Sequence, residues 1–329
     1  MFGKTFSVRT AGIDPTCEAL GISRTFSIRS QLGSGGSGTV YKAWHKRLRK
    51  HVVIKEVRHS STCGIKPRRN EVEALKNAKS VYLPQVLDFI IEGNNSFTVM
   101  EFIEGESLDK LLKRGQRFTK AQVTKWYRQL ASALYEIHRQ NVCHRDIKPA
   151  NIMLTPSGDV CLIDFNAALV EGNDTRIISR SLGYASPEQY RLFKMLDSVS
   201  PEKTSQSSQR ADENCFDDAR TKLLESESIT VFAKSNSKYQ STPPVLSSAF
   251  PVSRNIDWKL SDIYSLGATM YHFLTGKHPS ELAKKALSIS KSGSFNMGIM
   301  HVVRRSMRTD PNQRFASAEK LIKAINRYL

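Results

Sequence analysis

The chain has 329 residues, with 49 Lys and Arg against 31 Asp and Glu, a formal net charge of +18. Its 40% hydrophobic and 24% charged content suits a folded, water-facing protein and excludes collagen-like, coiled-coil and globally disordered readings. No run approaches the roughly 18 consecutive apolar residues of a membrane span, and Met1-Phe2-Gly3-Lys4-Thr5 lacks the apolar stretch of a secretory signal.

Residues 1–24 read as a short polar N-terminal extension with Gly12, Pro15 and Gly21. From Phe26 the pattern alternates as in strands: Phe26-Ser27-Ile28-Arg29, then Thr39 to Trp44 after a glycine cluster, then His51 to Val57 after a basic turn. Pro67 opens a helical stretch in which Val72, Leu75 and Ala78 are expected to share a face, with Glu71 one turn before Leu75. Two further strands are expected, from Val86 to Ile91 and from Phe97 to Ile103, around the turn Glu92-Gly93-Asn94-Asn95.

Beyond Gly105 the chain reads as mostly helical. Thr119 is placed to cap a helix whose Val123, Trp126, Tyr127, Leu130, Leu134 and Ile137 recur at three- and four-residue spacing up to Asn141. A second apolar helix is expected through Ile263, Leu266, Met270 and Phe273, stopping at Gly276. Residues 197–254 shift to Ser, Thr, Gln, Asn, Lys and Glu and read as a mobile insertion with room for one short element near Ile229. The expected organisation is α+β and bilobal: a β-rich lobe over 25–103 and a helical lobe over 104–196 and 255–329, with a ligand cleft between unequal lobes.

Five cysteines, Cys17, Cys63, Cys143, Cys161 and Cys215, form no C-x-x-C pair and point to a reducing, cytoplasmic compartment. Cys143 and Cys161 lie in apolar surroundings and read as buried, inert thiols. The basic runs His45-Lys46-Arg47-Leu48-Arg49-Lys50-His51 and Lys66-Pro67-Arg68-Arg69 raise nucleic acid or an acidic membrane as partners. No zinc finger, RNA-recognition motif or heptad-bearing basic helix accompanies them, so a solvated cationic face is the simpler reading and nucleic-acid binding at most a side activity.

Several motifs carry the chemistry. Gly33-Ser34-Gly35-Gly36-Ser37-Gly38-Thr39-Val40 matches G-x-G-x-x-G-x-V, and glycine lets backbone N–H groups approach phosphates that a Cβ would hold away. A strand rather than a helix follows the last glycine, and no Gly-Lys-Ser/Thr is present, which favours a flap over nucleotide phosphates. Val53-Ile54-Lys55 sets a lysine on a strand. Buried there it needs an anionic partner, for which Glu71 and then Glu73 are the candidates; a surface lysine on an edge strand is an equal reading of this residue alone. His144-Arg145-Asp146-Ile147-Lys148-Pro149-Ala150-Asn151 matches H-R-D-x-K-P-x-N at every fixed position. Asp164-Phe165-Asn166 follows it, and then Ser186-Pro187-Glu188.

In these motifs, their order and their spacing the chain resembles the protein kinases, specifically the bacterial eukaryotic-like serine/threonine kinases, from about Phe26 to Leu329 outside the Ser-rich span. The resemblance implies an ATP-dependent protein serine/threonine kinase that uses Mg²⁺ or Mn²⁺, acts on protein Ser/Thr acceptors, and phosphorylates itself through self-association, with a nucleotide-binding pseudokinase scaffold as the alternative. It implies Asp146 at the acceptor hydroxyl, Lys148 at the transferred phosphoryl, Lys55 paired with Glu71 at the α- and β-phosphates, and Asn151 with Asp164 as metal ligands. Nucleotide contacts are implied for the glycine loop (Gly33, Ser34, Gly35, Gly36, Ser37, Gly38), for Val40, Val53 and Met153 around the ring, and for Met100, Glu101 and Ile103 at its edge.

The resemblance also implies that Thr175, Ser179 and Ser181 are candidate phosphate acceptors, that Ser181 touches the catalytic Asp and Lys, and that Arg314 bridges Glu188. Leu75, His144 and Phe165 look like packing residues, and Asp262-Ile263-Tyr264-Ser265-Leu266-Gly267 resembles the family's D-x-W-S-x-G helix. One departure is Asn166, which stands where the family has the glycine of D-F-G, and Asn is the side chain that best tolerates a left-handed backbone.

Overall fold

The computed structural model describes residues 22, 24–35, 38–58, 70–170, 179–198, 229–230, 256–280 and 297–329. The chain divides into two compact units, Met1–Lys76 with Pro84–Ile103, and Asn77–Leu83 with Glu104–Leu329.

The first unit is a five-stranded antiparallel sheet built from β1 (Phe26–Gly35), β2 (Gly38–His45), β3 (Lys50–Arg58), β4 (Val86–Glu92) and β5 (Asn95–Glu101), in the order β1-β2-β3-β5-β4. Period-two alternation decides its faces: Phe26, Tyr41, Ala43, Val52, Ile54, Phe97 and Val99 form one buried cluster with Ile22. The helix α1 (Asn70–Leu75) has six residues and buries Ala74 and Leu75, whereas Val72 and Ala78 are only half-buried. A helix this short has no room for the three-position stripe expected from the sequence, and Ala78 falls beyond its end. Pro67, where that helix was expected to open, lies outside the described residues.

The second unit is mostly helical: α2 (Leu108–Lys113), α3 (Lys120–Arg139), α4 (Pro187–Ser198), α5 (Trp258–Thr275), α6 (Met297–Ser306) and α7 (Ala318–Ile325). Short strands stitch its loops together. They are β6 (Glu106–Ser107), β7 (Val142–Cys143), β8 (Ile152–Leu154), β9 (Val160–Leu162), β10 (Leu169–Val170), β11 (Ser179–Arg180) and β12 (Ile229–Thr230), paired as β6-β8-β9, β7-β10 and β11-β12. Thr119 and Gln122 make a reciprocal capping box at the start of α3, and Asn141 takes a left-handed backbone (φ 56°) just past its end. The six apolar residues that set the expected stripe of α3 are all buried, each stabilising the fold by roughly 1.5–3 kcal/mol.

Helix α5 is apolar on nearly every side. Asp257 caps it by accepting from the N–H groups of Lys259 and Leu260, and Gly276 (φ 66°) ends it. A Cβ on Gly267 would lie 2.7 Å from that of Ser306, so α5 and α6 approach too closely for any other residue. The Tyr127 hydroxyl meets Ser306 Oγ at 2.7 Å and ties α3 to the same helix. Within the span read as an insertion, α4 runs on to Ser198, and Ile229–Thr230 pairs with Ser179–Arg180. The remainder of that span, residues 1–21 and Thr175 lie outside the described residues.

Candidate active site

The segment after β7 carries the H-R-D motif on irregular backbone. Arg145 is left-handed (φ 63°), a conformation that costs a side-chain-bearing residue about 1–2 kcal/mol. That cost is met by one carboxylate: the N–H groups of His144 and Arg145 each donate to Asp262 on α5 at 2.8 Å. Asp262 is fully buried and also meets His138 Nε2 at 2.9 Å, while His138 Nδ1 has no hydrogen-bond partner among the described residues. Arg145 itself is buried. Its Nε donates to the Ala167 carbonyl at 2.6 Å, its guanidinium lies over the Trp258 ring at 5.0 Å, and its own carbonyl accepts from Gln189. Burial pulls this guanidinium down to about 10, with Asp262 acting in the opposite direction.

The same turn presents Asp146, which is 9% exposed, with both carboxylate oxygens engaged. Oδ1 accepts from Ser181 Oγ at 2.6 Å. Oδ2 accepts from Lys148 Nζ at 2.9 Å and from Asn151 Nδ2 at 3.1 Å, and the Asn151 amide also donates to the Asp146 carbonyl at 2.8 Å. Asn151 thus spends its amide nitrogen on Asp146, and its remaining polar atom is an oxygen. The β8–β9 hairpin brings the next motif back to this point, because the Ile163 N–H donates to the Asn151 carbonyl at 2.9 Å and Asp164 follows directly. A carboxylate and an amide oxygen are hard donors of the kind that Mg²⁺ takes, so this pair fits a divalent cation.

Left-handed geometry in the D-F-N segment falls on Asp164 (φ 65°), not on Asn166, whose N–H donates to Asp164 Oδ1 at 3.4 Å. Position 166 therefore has no conformational need for glycine, and asparagine fits there. His144 packs edge-on against the buried Phe165 ring (centroids 4.6 Å apart), and its Nε2–H donates to the Ile163 carbonyl at 3.2 Å.

In the first unit, register alone groups the residues. Val40 pairs with Lys55, Lys55 with Thr98, and Val53 with Met100, so Val40, Val53, Lys55 and Met100 share the face opposite the core cluster. Lys55 is 4% exposed, which removes the surface-lysine reading. Gly33 and Ser34 lie on β1, and Gly35 pairs with Gly38. Gly38 has φ 121°, and a Cβ there would fall 2.1 Å from the Glu56 carbonyl oxygen, so only glycine is accommodated. Gly36 and Ser37 lie outside the described residues. Glu71 is in α1 by its backbone, and its side chain is likewise outside them. The Glu101 N–H donates to the Gln85 carbonyl at 2.9 Å, and Ile103 ends this unit. Met153 belongs to the second unit, on β8 opposite Cys161 and Ser107.

Several supports had no local signal in the sequence. Gln189 and His138 act through hydrogen bonds to residues 44 and 124 positions away. Three residues after Ser181, the Tyr184 hydroxyl lies 2.6 Å from His272 Nδ1, and burial, with Asp109 adding to it, pushes this phenol up. Arg314 is buried and grips Glu188 through two bonds of 2.7 and 2.9 Å, the bidentate geometry of a strong guanidinium–carboxylate pair. Cys143 and Cys161 are both buried, and burial pushes the Cys143 thiol up, away from the reactive thiolate form.

The comparisons with known proteins bear on the same residues. A family model described as the protein kinase domain matches residues 26–199, just over half of the chain, and spans every motif from the glycine cluster to Ser186-Pro187-Glu188. Serine/threonine-protein kinase PknL of Mycobacterium tuberculosis is 34% identical over 185 residues, 54% of this chain and 46% of that protein. A protein named as a probable serine/threonine-protein kinase in Clostridium acetobutylicum is 30% identical over 175 residues, 51% of this chain and 27% of its own length. Serine/threonine-protein kinase ULK3 of Rattus norvegicus is 31% identical over 170 residues, 50% of this chain and 36% of that protein. The chain thus spans less than half the length of these relatives. With the motif order, the antiparallel sheet and the Asp146 network all in agreement, the chain belongs to the protein kinase domain family.

Proposed function

We propose that this protein transfers the γ-phosphate of ATP to serine or threonine hydroxyls of proteins. One observation carries the reading: a nearly buried carboxylate, Asp146, held on one oxygen by a hydroxyl and on the other by a lysine and an asparagine. Ser181 and Asn151 fix the carboxylate so that it can orient the acceptor hydroxyl and take its proton. Lys148 sits at the same oxygen and is placed to neutralise charge that develops on the moving phosphoryl group. Asn151 and Asp164 would hold Mg²⁺ or Mn²⁺, which when bound supplies positive charge to the phosphate oxygens. Lys55, with Glu71 as its partner, would position the α- and β-phosphates; Val40, Val53, Met100, Glu101, Ile103 and Met153 would bind the base, and the glycines from Gly33 to Gly38 the phosphates.

Serine and threonine are favoured over tyrosine by Lys148 and by the relatives, which are named serine/threonine-protein kinases. Autophosphorylation through transient self-association is part of the proposal, with Ser179 and Thr175 as acceptors. Five cysteines without a C-x-x-C pair support a reducing, cytoplasmic setting.

The test is incorporation of radiolabelled phosphate from ATP into a protein acceptor, followed by identification of the phosphorylated residue type. Asp146→Asn is expected to lower incorporation by a factor of about 10²–10⁴. Equal incorporation by the wild type and this variant would overturn the proposal.

A further inference from the structure

The β2–β3 turn is not used by the chemistry above, yet it carries the densest charge in the chain. Lys46, Arg47, Arg49, Lys50 and His51 are all exposed, and Leu48 among them is 53% exposed. Residues 24–58 contain nine Lys and Arg but a single acid, Glu56. That acid is 1% exposed and turned inward to Tyr41 and Arg58, so it does not offset the turn. The nearest carboxylate in register is Glu101, opposite Val52, and it accepts from the Gln85 N–H.

The shape of the turn is fixed. The Arg49 N–H donates to the His45 carbonyl at 2.8 Å, the Leu48 N–H donates to His45 Nδ1 at 3.3 Å, and Arg49 takes a left-handed backbone (φ 51°). Beyond the His45–Lys50 pair only four residues project, with Leu48 flanked by cations on both sides.

We propose that this turn docks on an anionic lipid membrane, its cations on the headgroups and Leu48 in the interfacial region. Three observations favour a bilayer over a nucleic acid. An exposed leucine between arginines suits a surface where charge overlies acyl chains and has no counterpart in a phosphate backbone. Strands β2 and β3 are flanked by β1 and β5, so no free two-stranded ribbon is available to enter a groove. The neighbouring aromatic rings are already engaged, Trp44 edge-on with His51 and Phe102 beneath the Lys42 ammonium at 4.2 Å, and so do not form stacking platforms. The proposal is independent of the phosphoryl-transfer reading.

The full chain is sedimented with phosphatidylcholine vesicles, and with vesicles in which a third of the lipid is phosphatidylglycerol, at low and at moderate salt. Binding is expected to the anionic vesicles only and to weaken with salt. The double variant Lys46→Glu with Arg47→Glu is expected to bind about 30-fold more weakly, or worse, since each cation near such a surface is worth about fivefold. The same charge reversal on the second unit, Arg304→Glu with Lys320→Glu, is expected to change binding much less. Leu48→Ser is expected to weaken vesicle binding severalfold while leaving any affinity for a short nucleic-acid duplex unchanged. Thermal melts of each variant confirm that the sheet is intact. The proposal is overturned by equal binding to neutral and anionic vesicles, by no binding at low salt, or by an equal effect of the two charge reversals. It is also overturned by duplex binding tighter than vesicle binding together with indifference to Leu48→Ser.

Discussion

The two units position their polar groups by different means. In the first, Lys55 is where it is because β3 alternates: Val52 and Ile54 go to the core, Val53 and Lys55 to the other face, and pairing with Val40 and Thr98 fixes the register. In the second, Asp146 and Asp164 stand on or beside left-handed backbone at Arg145 and Asp164, held by groups such as Asp262, which is 117 residues from Arg145. Regular structure positions a group through its periodicity. Irregular structure needs an external brace. The H-R-D segment should therefore be most sensitive to side chains outside the motif itself, and the sheet to backbone geometry.

The largest effect is expected from removing the brace. Asp262→Ala strands two buried N–H groups and the His138 ring at once, and should cost about 3–5 kcal/mol in urea unfolding. Asp262→Asn, which keeps one acceptor oxygen, should cost less. A loss below about 1 kcal/mol for the alanine variant would show that the turn is held locally and would dissolve the contrast between the units.

A smaller effect is expected in the sheet. Gly38→Ala meets the Glu56 carbonyl oxygen at 2.1 Å with φ at 121° and should cost about 2–3 kcal/mol, read as a lowered melting temperature. Gly33→Ala, with nothing within 4 Å of the new methyl group, should change stability by no more than about 1 kcal/mol. Equal losses at the two glycines would mean that backbone geometry does not govern this unit.

The smallest effect concerns the turn between β8 and β9. Lys125, Gln129 and Ser157 hydrogen-bond Asp159 and hold its carboxyl at about 2, below its ordinary 3.8. A carboxyl lowered in the folded state stabilises fully above 3.8, and that contribution fades as the pH falls through about 2. Because the Asp159 side chain is 41% exposed, the contribution is expected to stay below about 1 kcal/mol, and Asp159→Asn should flatten the acid limb of the stability curve only slightly. Titration of this carboxyl by NMR checks the sign.

Much of this was open to inspection in the linear chain. Strands β1 to β3, the long helix from Lys120 and the central helix ending at Gly276 follow from periodicity, from the cap at Thr119 and from the stop at Gly276, all of them local signals. The motif residues Asp146, Lys148, Asn151 and Asp164 stood out because they match the H-R-D-x-K-P-x-N and D-F-G patterns of the family that the chain resembles. The Arg314–Glu188 pair was foreseeable only through the family resemblance. The helix at Asn70 was misread as longer because an apolar spacing of three says nothing about where hydrogen bonding stops.

By itself, the sequence determined the alternation of the sheet, the two long helices and the charge of the β2–β3 turn, and its motifs singled out Asp146, Lys148, Asn151 and Asp164. Only the tertiary structure decided which backbone position takes the left-handed bend: Asp164 takes it, which frees position 166 from any need for glycine. It also decided that Asp262 and Gln189 hold the turn, and that the tyrosine three residues past Ser181 leans on His272. The physical reason is range. Periodicity and capping act over a few residues and leave a trace in the chain. The partner of a buried polar group is chosen by burial itself, which brings together residues with no relation in sequence and requires that each donor find an acceptor.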